Sequence, residues 1–146
     1  MKHISFAFLF VLIITGCSAA RKAGLSNIAK AQTTLDSVYR HYSVQNTTLL
    51  RETFPFNSDY AATYLDNQDQ AKPNPYAFLW PYSGSLSAVS SIMMHKKTKD
   101  AESYLTAKVL PGLTHYFDTA RSPFAYASYI NDAPPSDRFY DDNVWL

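Results

Sequence analysis

The chain has 146 residues, with 13 Lys and Arg against 12 Asp and Glu, a formal net charge of +1 and a single cysteine. That length fits one domain. Balanced charge without a basic run argues against nucleic-acid binding, and one cysteine allows no intrachain disulfide.

Lys2 and His3 give a basic start, followed by an apolar stretch from Phe6 to Thr15. A bilayer-spanning helix takes about 20 residues, so this stretch reads as the core of a signal peptide. Ile14-Thr15-Gly16-Cys17 resembles a bacterial lipobox, which implies cleavage before Cys17 and a diacylglycerol on its sulfur. The expected organisation is a lipoprotein signal peptide over residues 1–16, a lipidated tether over 17–24 and a folded region over 25–146. Stable anchoring by lipid needs more than one acyl chain. By resemblance to sorting in two-membrane bacteria, Ser18 after the cysteine implies the outer membrane, on its periplasmic or cell-surface side. Removing Lys2 with the signal peptide leaves equal numbers of acidic and basic residues.

From Leu25 to Tyr42, apolar residues at Leu25, Ile28, Leu35, Val38, Tyr39 and Tyr42 fall close to helical spacing. Lys30, Gln32, Asp36 and Arg40 form the opposite, polar face, which predicts a first helix. Residues 43–75 are rich in Asn, Asp and Pro and read as irregular, with a short strand or turn at Tyr60–Leu65. Asn46-Thr47-Thr48 matches a glycosylation sequon but reads as chance in a bacterial lipoprotein. A second helix is predicted from the Tyr76–Ser83 region to about His95, with Trp80, Leu86, Val89, Ile92 and Met93 on its apolar face. Pro81 must then fall in the first turn or the approach. Small residues at Gly84, Ser85, Ser87 and Ala88 would let another helix come close. A third helix is predicted from about Lys99 to Phe117, with Tyr104, Leu105, Val109, Leu113, Tyr116 and Phe117 inward and a kink or split at Pro111-Gly112. Phe124–Ile130 alternates large and small side chains, as an extended segment or short strand does. Residues 131–137 read as a loop. A fourth helix is predicted to start near Tyr140, capped by Asp137 or Asp141. The fold class is therefore all-α.

Asp141 and Asp142 are the candidate catalytic residues. Glycoside hydrolysis generally uses two carboxyl groups, one protonating the leaving oxygen and one attacking the anomeric carbon or activating water. Adjacent carboxylates also repel, which raises one pKa. Phe139, Tyr140 and Trp145 can wall such a site. The same Asp pair also fits a plain helix start, favoured by capping and by the dipole. Elsewhere His41, His95 and His115 are scattered without a Gly-x-Ser-x-Gly, no His or Cys spacing points to a metal, and four glycines form no phosphate loop. No cofactor is expected. High aromatic content, 15% of the chain, fits either a Tyr-rich core or sugar contact.

Tyr140-Asp141-Asp142-Asn143-Val144-Trp145-Leu146 resembles the Asp-Asp signature of glycoside hydrolase family 76, the α-1,6-mannanases. Phe78-Leu79-Trp80-Pro81-Tyr82-Ser83-Gly84 resembles the Trp-containing opening of an inner helix in Bacteroides-type members. Tyr126–Ile130 and Ala133–Arg138 resemble the segment before the Asp pair. The resemblance runs from about Leu25 to Leu146. It implies a six-hairpin (α/α)6 barrel and metal-free, retaining endo-hydrolysis of α-1,6-mannan. Asp141 would be the nucleophile and Asp142 the general acid/base. Trp80, Tyr82, Tyr140 and Trp145 would be substrate contacts or cleft walls, with core packing the alternative for Trp80, Tyr82 and Trp145. Only three helices and the start of a fourth are legible. The expectation is thus a partial barrel truncated at the C-terminus, an N-terminal fragment with little or no activity alone. The partner implied is a mannan-type polysaccharide, with the membrane reached through the lipid on Cys17. The rival from another class is a non-catalytic glycan-binding outer-membrane lipoprotein, which needs no carboxylate pair.

Overall fold

The computed structural model describes residues 27–60, 75–130 and 136–146. The signal peptide, Cys17, the tether, most of the Tyr60–Leu65 segment and most of the 131–137 loop lie outside the described residues.

Helix α1 covers residues 27–42. It buries Leu35 and Tyr39 and half-buries Ile28, Val38 and Tyr42. The chain then reverses through a turn in which Asn46 takes φ 60°. Asn tolerates this left-handed conformation better than most side chains, which gives Asn46 a structural reason to stand there. The turn is closed by Val44 N–H donating to the Leu49 carbonyl at 3.0 Å and Thr47 N–H to the Val44 carbonyl at 3.2 Å.

Helix α2, Leu79–His95, is set by its approach. Ala77 N–H donates to the Leu50 carbonyl at 2.8 Å, and Phe78 N–H to the Glu52 carboxylate at 3.1 Å. Leu79 N–H donates to the Ser128 carbonyl at 2.8 Å. The N-cap, Phe78, offers no capping side chain, so these tertiary bonds serve donors that a helix start otherwise leaves unpaired. Pro81, third in the helix, lies in the first turn, where a missing N–H costs least. Val89 and Ile92 are buried, Leu86 and Met93 half-buried, and Trp80 is exposed. Gly84 is exposed, and a Cβ there would meet nothing within 4 Å, so it is not a point of close helix approach.

The third predicted helix is four short pieces. Helix α3, Lys99–Tyr104, starts at Thr98, whose hydroxyl accepts from Ala101 N–H at 3.1 Å. Asp100 and Glu102 sit in its first turn, where negative charge is favoured. A π-helical turn follows over Leu105–Val109, then α4, Leu110–Leu113, and a 3₁₀ turn, Thr114–Tyr116. The interruption precedes Pro111 rather than sitting on it. A proline cannot donate and its ring crowds the carbonyl four residues back; the wider turn, in which Leu110 N–H reaches the Leu105 carbonyl, accommodates both. Phe117 is not helical. It begins strand β1, Phe117–Asp118, which pairs antiparallel with β2, Ala125–Tyr126, in the register Phe117–Tyr126 and Asp118–Ala125. The structure is mostly helical, in keeping with the all-α class, with this one small sheet among the described residues; β2 falls inside the predicted extended segment Phe124–Ile130. Helix α5, Tyr140–Val144, completes the described order.

The core joins α1, the 49–50 segment, α2 and the α3–α4 region. At its centre Tyr82 has 0% exposure. Its hydroxyl is 3.1 Å from the Thr48 carbonyl and 3.3 Å from those of Lys108 and Val109. Its ring stacks obliquely on Tyr116 at 5.2 Å. The Tyr116 hydroxyl in turn donates to the Ala77 carbonyl at 2.7 Å.

Candidate active site

The segments that carry the candidate residues both hang from one stretch, residues 126–129. Ala127 N–H donates to the Tyr116 carbonyl at 2.7 Å. Ser128 accepts from Leu79 N–H at 2.8 Å and donates its own N–H to the Asp137 carbonyl at 2.7 Å. A single residue's backbone thus ties the first turn of α2, which carries Trp80, to the approach of α5, which carries the Asp pair. Tyr129 repeats the tie: its hydroxyl accepts from Tyr76 N–H at 3.2 Å, and its own N–H donates to Ser136 Oγ at 3.0 Å. Its ring lies 4.7 Å from Phe78.

A buried carboxylate braces this corner from below. Asp118 is 0% exposed. Oδ1 accepts from the N–H groups of Ala120 at 2.9 Å and Arg121 at 3.3 Å. Oδ2 accepts from Arg121 Nε, with Arg138 Nε 3.9 Å away. The two arginines carry the bracing onward. Arg121 Nη2 donates to the Ser136 carbonyl at 2.6 Å, and Arg138 Nη1 to the carbonyls of Arg121 and Pro123. A buried carboxylate without partners would be costly; here two guanidinium groups and two backbone donors serve it. The Arg121 hydrogen bond, helped by the backbone donors, holds the Asp118 carboxyl below its ordinary pKa against the opposing effect of burial.

Acid should therefore loosen this corner. With its folded pKa depressed, Asp118 contributes fully above its unfolded value of about 4, and that contribution is lost as pH falls through the lower folded value. We expect Asp118→Asn to lower the urea midpoint at neutral pH and the gap to the parent chain to close under acid. A gap that stays constant with pH would sink this reading.

None of the residues of α5 is buried. Its N-cap is Phe139, without a side-chain cap, so neither Asp137 nor Asp141 plays the expected capping role. Asp141 and Asp142 both lie in the first turn, where the helix dipole favours negative charge. Their surroundings differ. Asp141 is exposed and Asp142 half-buried. Burial first, and the charge of Asp141 second, push the Asp142 carboxyl above the ordinary carboxylate pKa. Two carboxyl groups in unlike surroundings can divide the work of acid and nucleophile.

Of the four aromatic candidates, three are open to solvent. Tyr140 is 87% exposed, and Trp80 and Trp145 are each 60% exposed. Tyr82 is the exception. With no accessible surface and its hydroxyl turned to backbone carbonyls, it presents nothing to a ligand, which corrects its expected substrate contact to a core role. Asn143, Asp118, Arg121 and Arg138 are the shaping residues that sequence reasoning missed. For Asn143 the only signal was a polar, weakly helix-forming side chain right after the Asp pair.

A groove of about 450 Å³ opens between the start of α1 and the far half of α2, lined by Asn27, Ile28, Ala31, Ala88, Ser91, Ile92 and His95. It carries no carboxylate and lies well along α2 from the Leu79–Ser128 bond. Among the described residues, no group of three or more His, Cys, Asp or Glu side chains is arranged to hold a metal ion, and no helix is long and apolar enough to cross a membrane. No protein-family model matches the chain, and no curated protein matches it.

Proposed function

We propose that Asp141 and Asp142 are the carboxylate pair of a retaining endo-α-1,6-mannanase of the glycoside hydrolase family 76 type. The described helices would be the opening part of an (α/α)6 barrel, and the lipid on Cys17 would hold the protein at the outer membrane. The observation that carries the reading is the contrast within the pair. The exposed Asp141 suits the nucleophile, which attacks the anomeric carbon to give a covalent glycosyl-enzyme. A half-buried Asp142 with raised proton affinity suits the acid that protonates the leaving oxygen and then, as a base, activates water. The exposed rings of Tyr140 and Trp145, which flank the pair in the chain, and of Trp80 support sugar contact.

The same rings also favour the rival, a glycan-binding lipoprotein without catalysis. The two readings separate on linear α-1,6-mannan offered to the product of the complete reading frame that contains residues 17–146. Shortening of the chain supports the hydrolase. Retention of intact mannan, unaffected by replacing either aspartate, supports the binder. For the anchor, metabolic palmitate labelling should disappear in Cys17→Ala; persistent labelling would remove Cys17 as the lipid site.

A further inference from the structure

The carboxamide of Asn143 meets the backbone of Tyr126 at two points. Oδ1 accepts from Tyr126 N–H at 2.8 Å, and Nδ2 donates to the Tyr126 carbonyl at 3.0 Å. Nδ2 also donates to the Phe139 carbonyl, four residues back in its own helix, at 2.9 Å. A side-chain amide has one acceptor oxygen and two amine protons, so all of its donors are used and the amide stands where a third strand's peptide group would pair with β2. This matters because α5 cannot stand by itself. It has only five residues, no buried side chain and no side-chain cap, and a helix that short does not persist in water without tertiary support. Among the described residues, its hydrogen bonds to the body run through this clamp, and its approach is held by the bonds of residues 136–138.

We propose that Asn143 is a positioning residue: its carboxamide locks the carboxylate-bearing turn of α5 onto the backbone of Tyr126, fixing where Asp141 and Asp142 stand relative to the β1–β2 hairpin. The inference rests on Asp141 and Asp142 being the acting carboxylates, but its test does not depend on catalysis. A leucine of the same branching at 143 keeps bulk and removes every hydrogen bond. In the full chain, Asn143→Leu should speed amide exchange at Tyr126 on the order of tenfold, the factor that losing a net hydrogen bond of about 1.4 kcal/mol gives. The Ala127 amide, bonded to Tyr116, should stay protected. With the turn released, Asp142 should become more hydrated, and its side-chain carboxyl ¹³C titration should move down toward the ordinary carboxylate range; Asp141 is the neighbouring charge that bears on it.

If Asn143→Leu exchanges at all sites because it has unfolded, Asn143→Ala decides. It removes every hydrogen bond of the carboxamide without adding bulk or a charge beside Asp142, so Tyr126 exchange and the Asp142 midpoint should shift in the same directions. Unchanged Tyr126 protection and an unchanged Asp142 midpoint in the folded variant would overturn the clamp. Failure of the parent protein to cleave mannan, with both shifts present, would overturn the hydrolase reading and leave the clamp standing.

Discussion

On the proposed hydrolase reading, Asp141→Asn should abolish mannan cleavage, lowering kcat by about 10⁴-fold or more, the scale on which enzymes lose rate when a covalent nucleophile is removed. The amide cannot attack the anomeric carbon, and no neighbouring carboxyl can replace it while Asp142 serves as the acid. Asp142→Asn should cost about 10²–10⁴-fold, the range of general acid–base assistance, and the loss should shrink on substrates with a good leaving group that needs no proton. A helix-start role for the pair gives the opposite pattern, with both variants weakening the fold and neither changing turnover on the folded fraction. The stability of Asp142→Asn separates the cases further. A carboxyl whose folded pKa is raised loses stability for the protein as pH rises through the unfolded value and then the folded one. Removing its charge should therefore leave the fold as stable or more stable at neutral pH while activity falls. Urea titration of the variant beside the parent measures both sides of that statement.

Tyr82→Ala should cost about 3–5 kcal/mol, the range for deleting a fully buried large aromatic. That is a large part of the 5–15 kcal/mol that typical domains possess. Tyr82 packs on Tyr116 and its hydroxyl serves carbonyls from the 44–49 turn region and from the π-helical turn. One side chain thus pins three segments. Gly112 exists for the same contact: a Cβ there would lie 1.7 Å from the Tyr82 hydroxyl oxygen and 2.7 Å from the Thr48 carbonyl oxygen. Gly112→Ala should then be destabilising by about 1–3 kcal/mol or more through overpacking, although alanine is the better helix former. Tyr82→Phe should be milder, about 1–3 kcal/mol for carbonyls left without their donor. Chemical denaturation of the three variants tests the ranking. A Gly112→Ala chain as stable as the parent would show that α4 and Tyr82 are not so closely packed.

Helical periodicity made α1 and α2 legible, because their apolar spacing largely follows the buried faces that the structure has; Trp80, predicted on the apolar face of α2, is instead exposed. The third helix was harder. Pro111-Gly112 signalled a break, but where it falls depends on a π-turn that moves carbonyls aside before the proline, and on a tyrosine from another helix pressing against Gly112. Periodicity does not encode either. The β1–β2 hairpin is two residues a side, too short for alternation to register. For Tyr82 the resemblance implies a substrate contact or cleft wall with core packing as the alternative, because an aromatic beside Trp80 and Pro81 looks the same whether it faces solvent or core. Only the helical phase, with Tyr82 two residues past Trp80, separates the exposed ring from the buried one. The Asp pair was visible as adjacent acids. What shapes it was not, since Asp118, Arg121 and Arg138 converge through loop geometry and Asn143 through a side-chain amide standing in for a strand.

The most direct test of the central claim is ¹H NMR of linear α-1,6-mannan during cleavage by the complete reading-frame product, read within the first minutes before mutarotation. The α-anomer should form first, by two displacements through Asp141, and the signal should vanish in Asp141→Asn. First formation of the β-anomer, or cleavage that survives Asp141→Asn, would contradict the assignment of Asp141 as nucleophile and Asp142 as acid/base.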